Sequence, residues 1–301
     1  MNGTAVELKK LGTEKQNASS SNLDTMTALE IATVMNREDA KVAKAITKAL
    51  PEIAKAIDMI ADRLAKGGRL IYVGAGTSGR IGAIDASECP PTFNTDPKMV
   101  QYVIAGGPKA LGSAAEANED SPELGRADIA EKKPGKKDVV IGIAASGRTP
   151  YTISAIEYAR KKGAGTVAVV CNSGSALGKA AAVAIEVVVG PEVLTGSTRL
   201  KAGTAQKMVC NMLTTGAMAR MGYVYGNLMV NVHLKNAKLV ERGILILQQA
   251  ANVDRDSALI ALKAAGMKVP VALVMLEAGV SKTEAEKRLK KAKGRVRPTL
   301  R

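Results

Sequence analysis

The chain has 301 residues, 46% of them hydrophobic, and carries a net charge of +15 from 43 Lys and Arg against 28 Asp and Glu. No apolar run approaches the roughly 18 residues of a membrane span, and the opening MNGTAVELKK lacks a signal-peptide core, which sets aside membrane-embedded and secreted classes. Cys89, Cys171 and Cys210 show neither metal-ligand spacing nor a disulfide framework, and the lone His233 lies far from them in sequence, so we expect no metal site, no Cys–His nucleophile and a reducing, cytoplasmic setting.

In chain order, the first two dozen residues read as irregular. Residues 27–35 suggest a short helix, and 39–66 a long helical stretch with Pro51 as its break and Gly67-Gly68 as its stop. A strand over 69–73 (RLIYV) then runs into the glycine-rich turn GAGTSGR, which opens a helix ending in Glu88-Cys89-Pro90-Pro91. A strand feeding such a turn at a helix N-terminus is a natural anion site, because unpaired N–H groups and the positive end of the helix dipole face the ligand. Thr77 and Ser78 add hydroxyls. Gly74, Gly76 and Gly79 also fit the dinucleotide fingerprint. The next strand, 100–105, however, ends in Gly106-Gly107 where an acid should meet the ribose.

Helices follow near 109–118 and 122–132, then the apolar run 138–144 (DVVIGIA), typical of a buried parallel strand. It leads into a second loop of the same kind, Ala145-Ser146-Gly147-Arg148-Thr149-Pro150, with a helix to about Lys162. Residues 166–171 and 185–189 are further β-branched runs, and 199–222 a long helix. The alternation argues for an α/β fold, a three-layer α/β/α sandwich with a mainly parallel sheet. Two hydroxyl-rich loops at the carboxyl edge of one sheet suit a phosphate on a small sugar.

From about Leu239 only helical period remains, over 239–251, 255–265, 271–278 and 283–292. We therefore expect two domains, 1–238 and a small helical one at 239–301. The last 20 residues hold nine Lys or Arg against two Glu. They carry no Phe, Tyr or Trp for base stacking, and Ser281-Lys282-Thr283-Glu284 opens them as a capping box. We read a solvated helix with a frayed end, and expect no nucleic-acid partner.

The paired loops resemble the sugar-isomerase (SIS) family of phosphosugar-binding domains. DASECPPTF (85–93), GIAASGRTPY (142–151) and GSTRLKAGTAQKM (196–208) are similar to the N-acetylmuramic acid 6-phosphate etherases within it, a resemblance running from Thr13-Glu14 and Asn17 to the C-terminal helices. It implies a C–O lyase that opens the sugar ring, removes the C2 proton, expels lactate from C3 and adds water there. The products are N-acetylglucosamine 6-phosphate and D-lactate. The aldehyde at C1 stabilises the carbanion, so no metal or organic cofactor is needed. Glu88 matches the family's acid and Glu119 its base at C2. Burial beside Pro90 and Pro91 is expected for Glu88. Ser78, Ser146 and Thr149 match the phosphate's hydroxyl donors, with Gly76, Thr77 and Gly147 offering backbone N–H groups.

Glu116, Arg80 and Arg148 stay without a settled role, and Lys201 and Gln206 are assigned none. Asn94 stands where the family usually has glycine. The resemblance also implies a homodimer. A non-catalytic sensor like the glucokinase regulatory protein remains the alternative, and SECPPT argues against it. An aldose–ketose isomerase is a weaker one, because the single histidine lies outside every motif.

Overall fold

In a computed structural model, which describes residues 11–113 and 118–300, Thr27 closes a capping box with Glu30 and starts helix α1 (Ala28–Asp39). Helices α2 (Lys41–Thr47) and α3 (Leu50–Leu64) follow. Pro51 sits in the first turn of α3, where a missing N–H costs nothing, so it opens that helix instead of breaking one.

Five strands form one parallel sheet: β1 (Leu70–Gly74), β2 (Val100–Ile104), β3 (Val139–Ile143), β4 (Gly165–Val170) and β5 (Val183–Glu186), in the order β2-β1-β3-β4-β5. The last strand begins and ends earlier than the expected 185–189. β1, β3 and β4 are buried throughout, which explains their unbroken apolar runs. One sheet face, with Ile71, Val73 and Val140, packs under α5 (Pro122–Glu131), α6 (Pro150–Lys161) and α7 (Ala176–Ala180) through Ile129, Ala155, Ile156 and Leu177. On the other face α4 (Gly76–Phe93) lies so close that a Cβ on Gly82 would stand 2.8 Å from Tyr72. Helices on both faces make the expected three layers.

Two departures concern α4 and the segment after β2. Helix α4 does not stop before Cys-Pro-Pro; it runs through Pro90 and Pro91. It closes with Asn94 N–H on the Pro90 carbonyl, Asn94 adopting φ 54°. A left-handed residue past a helix end is where glycine and, next to it, asparagine are tolerated. Of the helix expected over 109–118, the described start is a 3-10 turn, Pro108–Leu111; residues 114–117, Glu116 among them, lie outside the described residues.

The chain divides into two compact units. The first takes in the sheet, residues up to Ala86 and Lys98–Thr214; helix α8 (Lys201–Met221) begins in it. The second joins Ser87–Pro97 to Thr215–Arg301, so it begins before residue 239. In it α9 (Ala237–Ala251), α10 (Arg255–Ala264), α11 (Val269–Ala278) and α12 (Lys282–Lys291) enclose Ile244, Leu247, Leu262, Leu273 and Leu289. Phe93 meets Tyr223 edge-on at 6.5 Å, and Asn231 donates to the Phe93 carbonyl. The basic tail is not frayed: Arg297–Leu300 forms a 3-10 turn, with Val296 and Thr299 buried. Among the described residues no single helix is long and apolar enough to cross a membrane.

Candidate active site

β1 and β3 are neighbours, yet the chain leaves them toward opposite ends of the sheet order. Their carboxyl ends thus flank a topological switch point, where open α/β sheets bind ligands. A cavity of about 320 Å³ lies there. The turn after β1 lines it with Gly76, Thr77 and Ser78, the loop after β3 with Ser146, Arg148 and Thr149, and the segment after β2 with Glu119.

Each loop is built for this position. Gly76 starts α4 at φ 51°, and the first bond of the helix runs from Gly79 N–H to the Ala75 carbonyl. The amides of Gly76, Thr77 and Ser78 are those that a first turn leaves without an intrahelical acceptor. Gly147 has φ 66°, and a Cβ there would fall 2.4 Å from the Ser175 side chain. Its own N–H bonds the Ala144 carbonyl at 3.1 Å. Gly147 therefore shapes the loop; its amide is spent inside the turn and is not the donor expected from sequence. Ser146 Oγ accepts from Arg148 N–H at 3.2 Å, and Thr149 is the N-cap residue of α6. Glu119 is held through its backbone, whose carbonyl accepts from Tyr151 N–H in the first turn of α6.

Glu88 is not among the lining residues. It lies ten residues beyond Ser78 along α4, within Ser87–Pro97, and it is exposed, not buried. The phase of α4 explains this. Asp85 is pulled inward by Tyr72 Oη at 2.7 Å, Asn211 Nδ2 at 2.8 Å and Thr214 Oγ1 at 3.2 Å. Ile84, Ser87, Glu88 and Pro91 then share the outward stripe.

Further residues line or border the same cavity. Leu11 and Glu14 reach the cavity from the N-terminal segment, and Gly196 and Thr198 from the loop before α8. Ser78 Oγ donates to Gln206 Oε1 at 2.9 Å; Gln206 is 1% exposed, and its Nε2 has no hydrogen-bond partner among the described residues. The Thr-Glu pair at 13–14 and the Gln in KAGTAQKM were the available signals, but nothing local ties either to a ligand.

Arg80 is no phosphate ligand here, since its guanidinium donates to the carbonyls of Ala110 and Ser113. Glu192 and Lys201 are structural. The Glu192 carboxylate accepts from the amides of Lys201 and Ala202, capping α8, while burial pushes its pKa up. Lys201 Nζ pairs with Glu38 at 2.7 Å, both 2% exposed. All three cysteines are free and buried, and burial pushes the Cys171 thiol up to about 12, which removes it as a nucleophile.

Residues 52–160 match the glucokinase regulatory protein N-terminal SIS domain, and residues 134–216 match the SIS domain. The chain is 52% identical over 296 residues to the N-acetylmuramic acid 6-phosphate etherase of Klebsiella aerogenes, covering 98% of this chain and 99% of that one. It is 50% identical to the etherase of Clostridium beijerinckii, covering 98% and 97%. With that of Symbiobacterium thermophilum it shares 55% identity over 91% of each chain. Among solved structures, a Bacteroides fragilis protein described as a phosphosugar isomerase involved in capsule formation superposes with a TM-score of 0.52 at 18% identity, over 69% of this chain and 98% of that one. Identity that low speaks for the fold alone.

Proposed function

The chain belongs to the N-acetylmuramic acid 6-phosphate etherase family, and from that premise we propose that its sheet-edge cavity binds the sugar phosphate and cleaves the lactyl ether. It is a carbon–oxygen lyase that yields N-acetylglucosamine 6-phosphate and D-lactate. The observation that carries the site reading is the meeting of Ser78, Ser146, Thr149 and Glu119 around one cavity at two helix N-termini. The hydroxyls and the first-turn amides of α4 hold the phosphate, Ser78 Oγ giving up its bond to Gln206 Oε1 to do so.

Glu119 removes the C2 proton once ring opening has exposed the aldehyde. Glu88 protonates the departing lactyl oxygen and then activates water at C3; its support is its place in DASECPPTF. A general acid or base so placed contributes about 10²- to 10⁴-fold.

The protein works as a homodimer in the cytoplasm. Ile84, 59% exposed on the outward stripe of α4, is the kind of apolar surface that a second copy covers. Three free thiols suit a reducing compartment. Sedimentation showing a fully active monomer at micromolar concentration would remove the dimer.

The test of function is lactate release from N-acetylmuramic acid 6-phosphate, with deuterium exchange at C2 followed in parallel. Wild type performs both, and Glu119→Gln loses both. A wild-type protein that binds the sugar phosphate and releases no lactate would instead be a sensor of the glucokinase-regulatory type. Wild-type exchange by Glu119→Gln would move the base elsewhere.

A further inference from the structure

Glu14 reaches the cavity from the end of a short 3-10 turn, Gly12–Glu14, and that segment is pinned. Gly12 N–H donates to Asn172 Oδ1 at 2.9 Å, and Asn172 Nδ2 donates to Thr13 Oγ1 at 3.2 Å. Asn17 Nδ2 bonds the Pro191 carbonyl, and Ser20 Oγ the Val193 carbonyl. Four long-range bonds on either side of one residue fix its place over the sheet edge. Across from it Gly196 approaches at φ 76°, where a Cβ would stand 3.1 Å from Glu14 Oε2. Nothing in this framework uses the carboxylate: among the described residues it has no hydrogen-bond or ion-pair partner. It is half-buried and faces the cavity.

An ionised carboxylate only accepts hydrogen bonds, and it repels phosphate. The donors lining the cavity are the side chains of Thr77, Ser78, Ser146, Arg148, Thr149 and Thr198 and the first amides of α4, so the phosphate belongs with them. Glu14 is left to the sugar's hydroxyls. The reaction moves protons at three places: at O1 and O5 when the ring opens, at C2, and at the C3 oxygen. Glu119 and Glu88 are committed to the last two.

We propose that Glu14 is the catalytic residue for ring opening, an inference that rests on the etherase reading. Its carboxylate takes the proton from O1. The pair left on O1 forms the C1=O double bond, and the C1–O5 bond breaks with its pair on O5. Glu14 then hands the same proton to O5 and returns to its starting state. O1 and O5 share C1, so a single carboxylate serves both.

The assay is magnetisation transfer between the α and β anomeric protons of N-acetylglucosamine 6-phosphate, at saturating ligand. Wild type accelerates anomer exchange over buffer. Glu119→Gln and Glu88→Gln keep that acceleration although they fail at C2 and at lactate release. Glu14→Gln loses it by about 10²-fold, within the range of positioned acid–base catalysis, while binding the sugar phosphate and melting as wild type does. Glu14→Asp, which keeps the carboxylate one methylene back, recovers part of the rate. Exchange at the wild-type rate in Glu14→Gln overturns the proposal. So does a loss that saturating ligand restores, which would make Glu14 a binding group, or a loss that Glu14→Asp does not relieve. A wild type that releases lactate without accelerating anomer exchange also overturns it, and leaves the etherase reading intact. A wild type that releases no lactate fails that reading first.

Discussion

Lys201→Met should destabilise the sheet-bearing unit strongly, and the ion pair with Glu38 sets the size of the loss. Both partners are 2% exposed, and 163 positions separate them in sequence. Burial alone would push the Glu38 carboxyl up, but hydrogen bonds from Lys201, Lys41 and Asn17 outweigh it and hold the carboxyl at about 2, against an ordinary 4.5. That difference corresponds to about 3 kcal/mol of stability at neutral pH. Breaking a buried pair from one side costs about 3–5 kcal/mol, because the remaining charge stays in the interior. At about 2–4 °C per kcal/mol for a body of this size, the melting temperature should fall by roughly 6–12 °C or more.

The sign with pH follows. The folded pKa lies below the unfolded one, so the contribution of Glu38 is complete above about 4.5 and is lost as the pH falls toward about 2. The gap between wild type and Lys201→Met should therefore be wide at pH 7 and narrow toward pH 2. Glu38→Leu combined with Lys201→Met should recover most of the loss, as apolar replacements of buried pairs commonly do. Urea titrations at several pH values provide the assay. A single-variant loss under about 1 kcal/mol, or a double variant no more stable than Lys201→Met, would refute the reasoning.

Ser78→Ala and Ser146→Ala should each weaken binding of the 6-phosphorylated sugar by about 1.5–3 kcal/mol, with little change for the unphosphorylated sugar; calorimetry separates the two. Glu88→Gln should stop lactate release far more completely than it slows C2 exchange, since Glu119 still forms the carbanion while the oxygen must leave without a proton. Lactate at the wild-type rate from Glu88→Gln would return that residue to a structural role.

The sheet was legible because strands buried on both faces must be apolar almost throughout, as VVIGI and GTVAVV are. The two loops were legible because strand, glycine turn and helix start are contiguous. What escaped depends on distant partners. The outward position of Glu88 is fixed by Tyr72, Asn211 and Thr214 holding Asp85, none of which is near it in sequence. The passage of α4 through Pro90-Pro91 contradicts the local rule for proline, and only Asn94 in a left-handed conformation marks the true end. Glu14 and Gln206 carry no local signature, because the bonds that place them cross more than a hundred residues.

The bond from Tyr151 N–H to the Glu119 carbonyl works as a ruler. Under the proposed function, the turn of α6 at the phosphate site would also fix where Glu119 stands, so the site would measure the span between a ligand's phosphorus and its acidic carbon. A sugar phosphorylated at C6 places C2 at the far end of its carbon chain, whereas one phosphorylated at C1 folds that carbon against the ester oxygen. The second kind can fill the anion pocket and still present nothing to Glu119. Discrimination by length of this sort needs no contact with the carbon that differs.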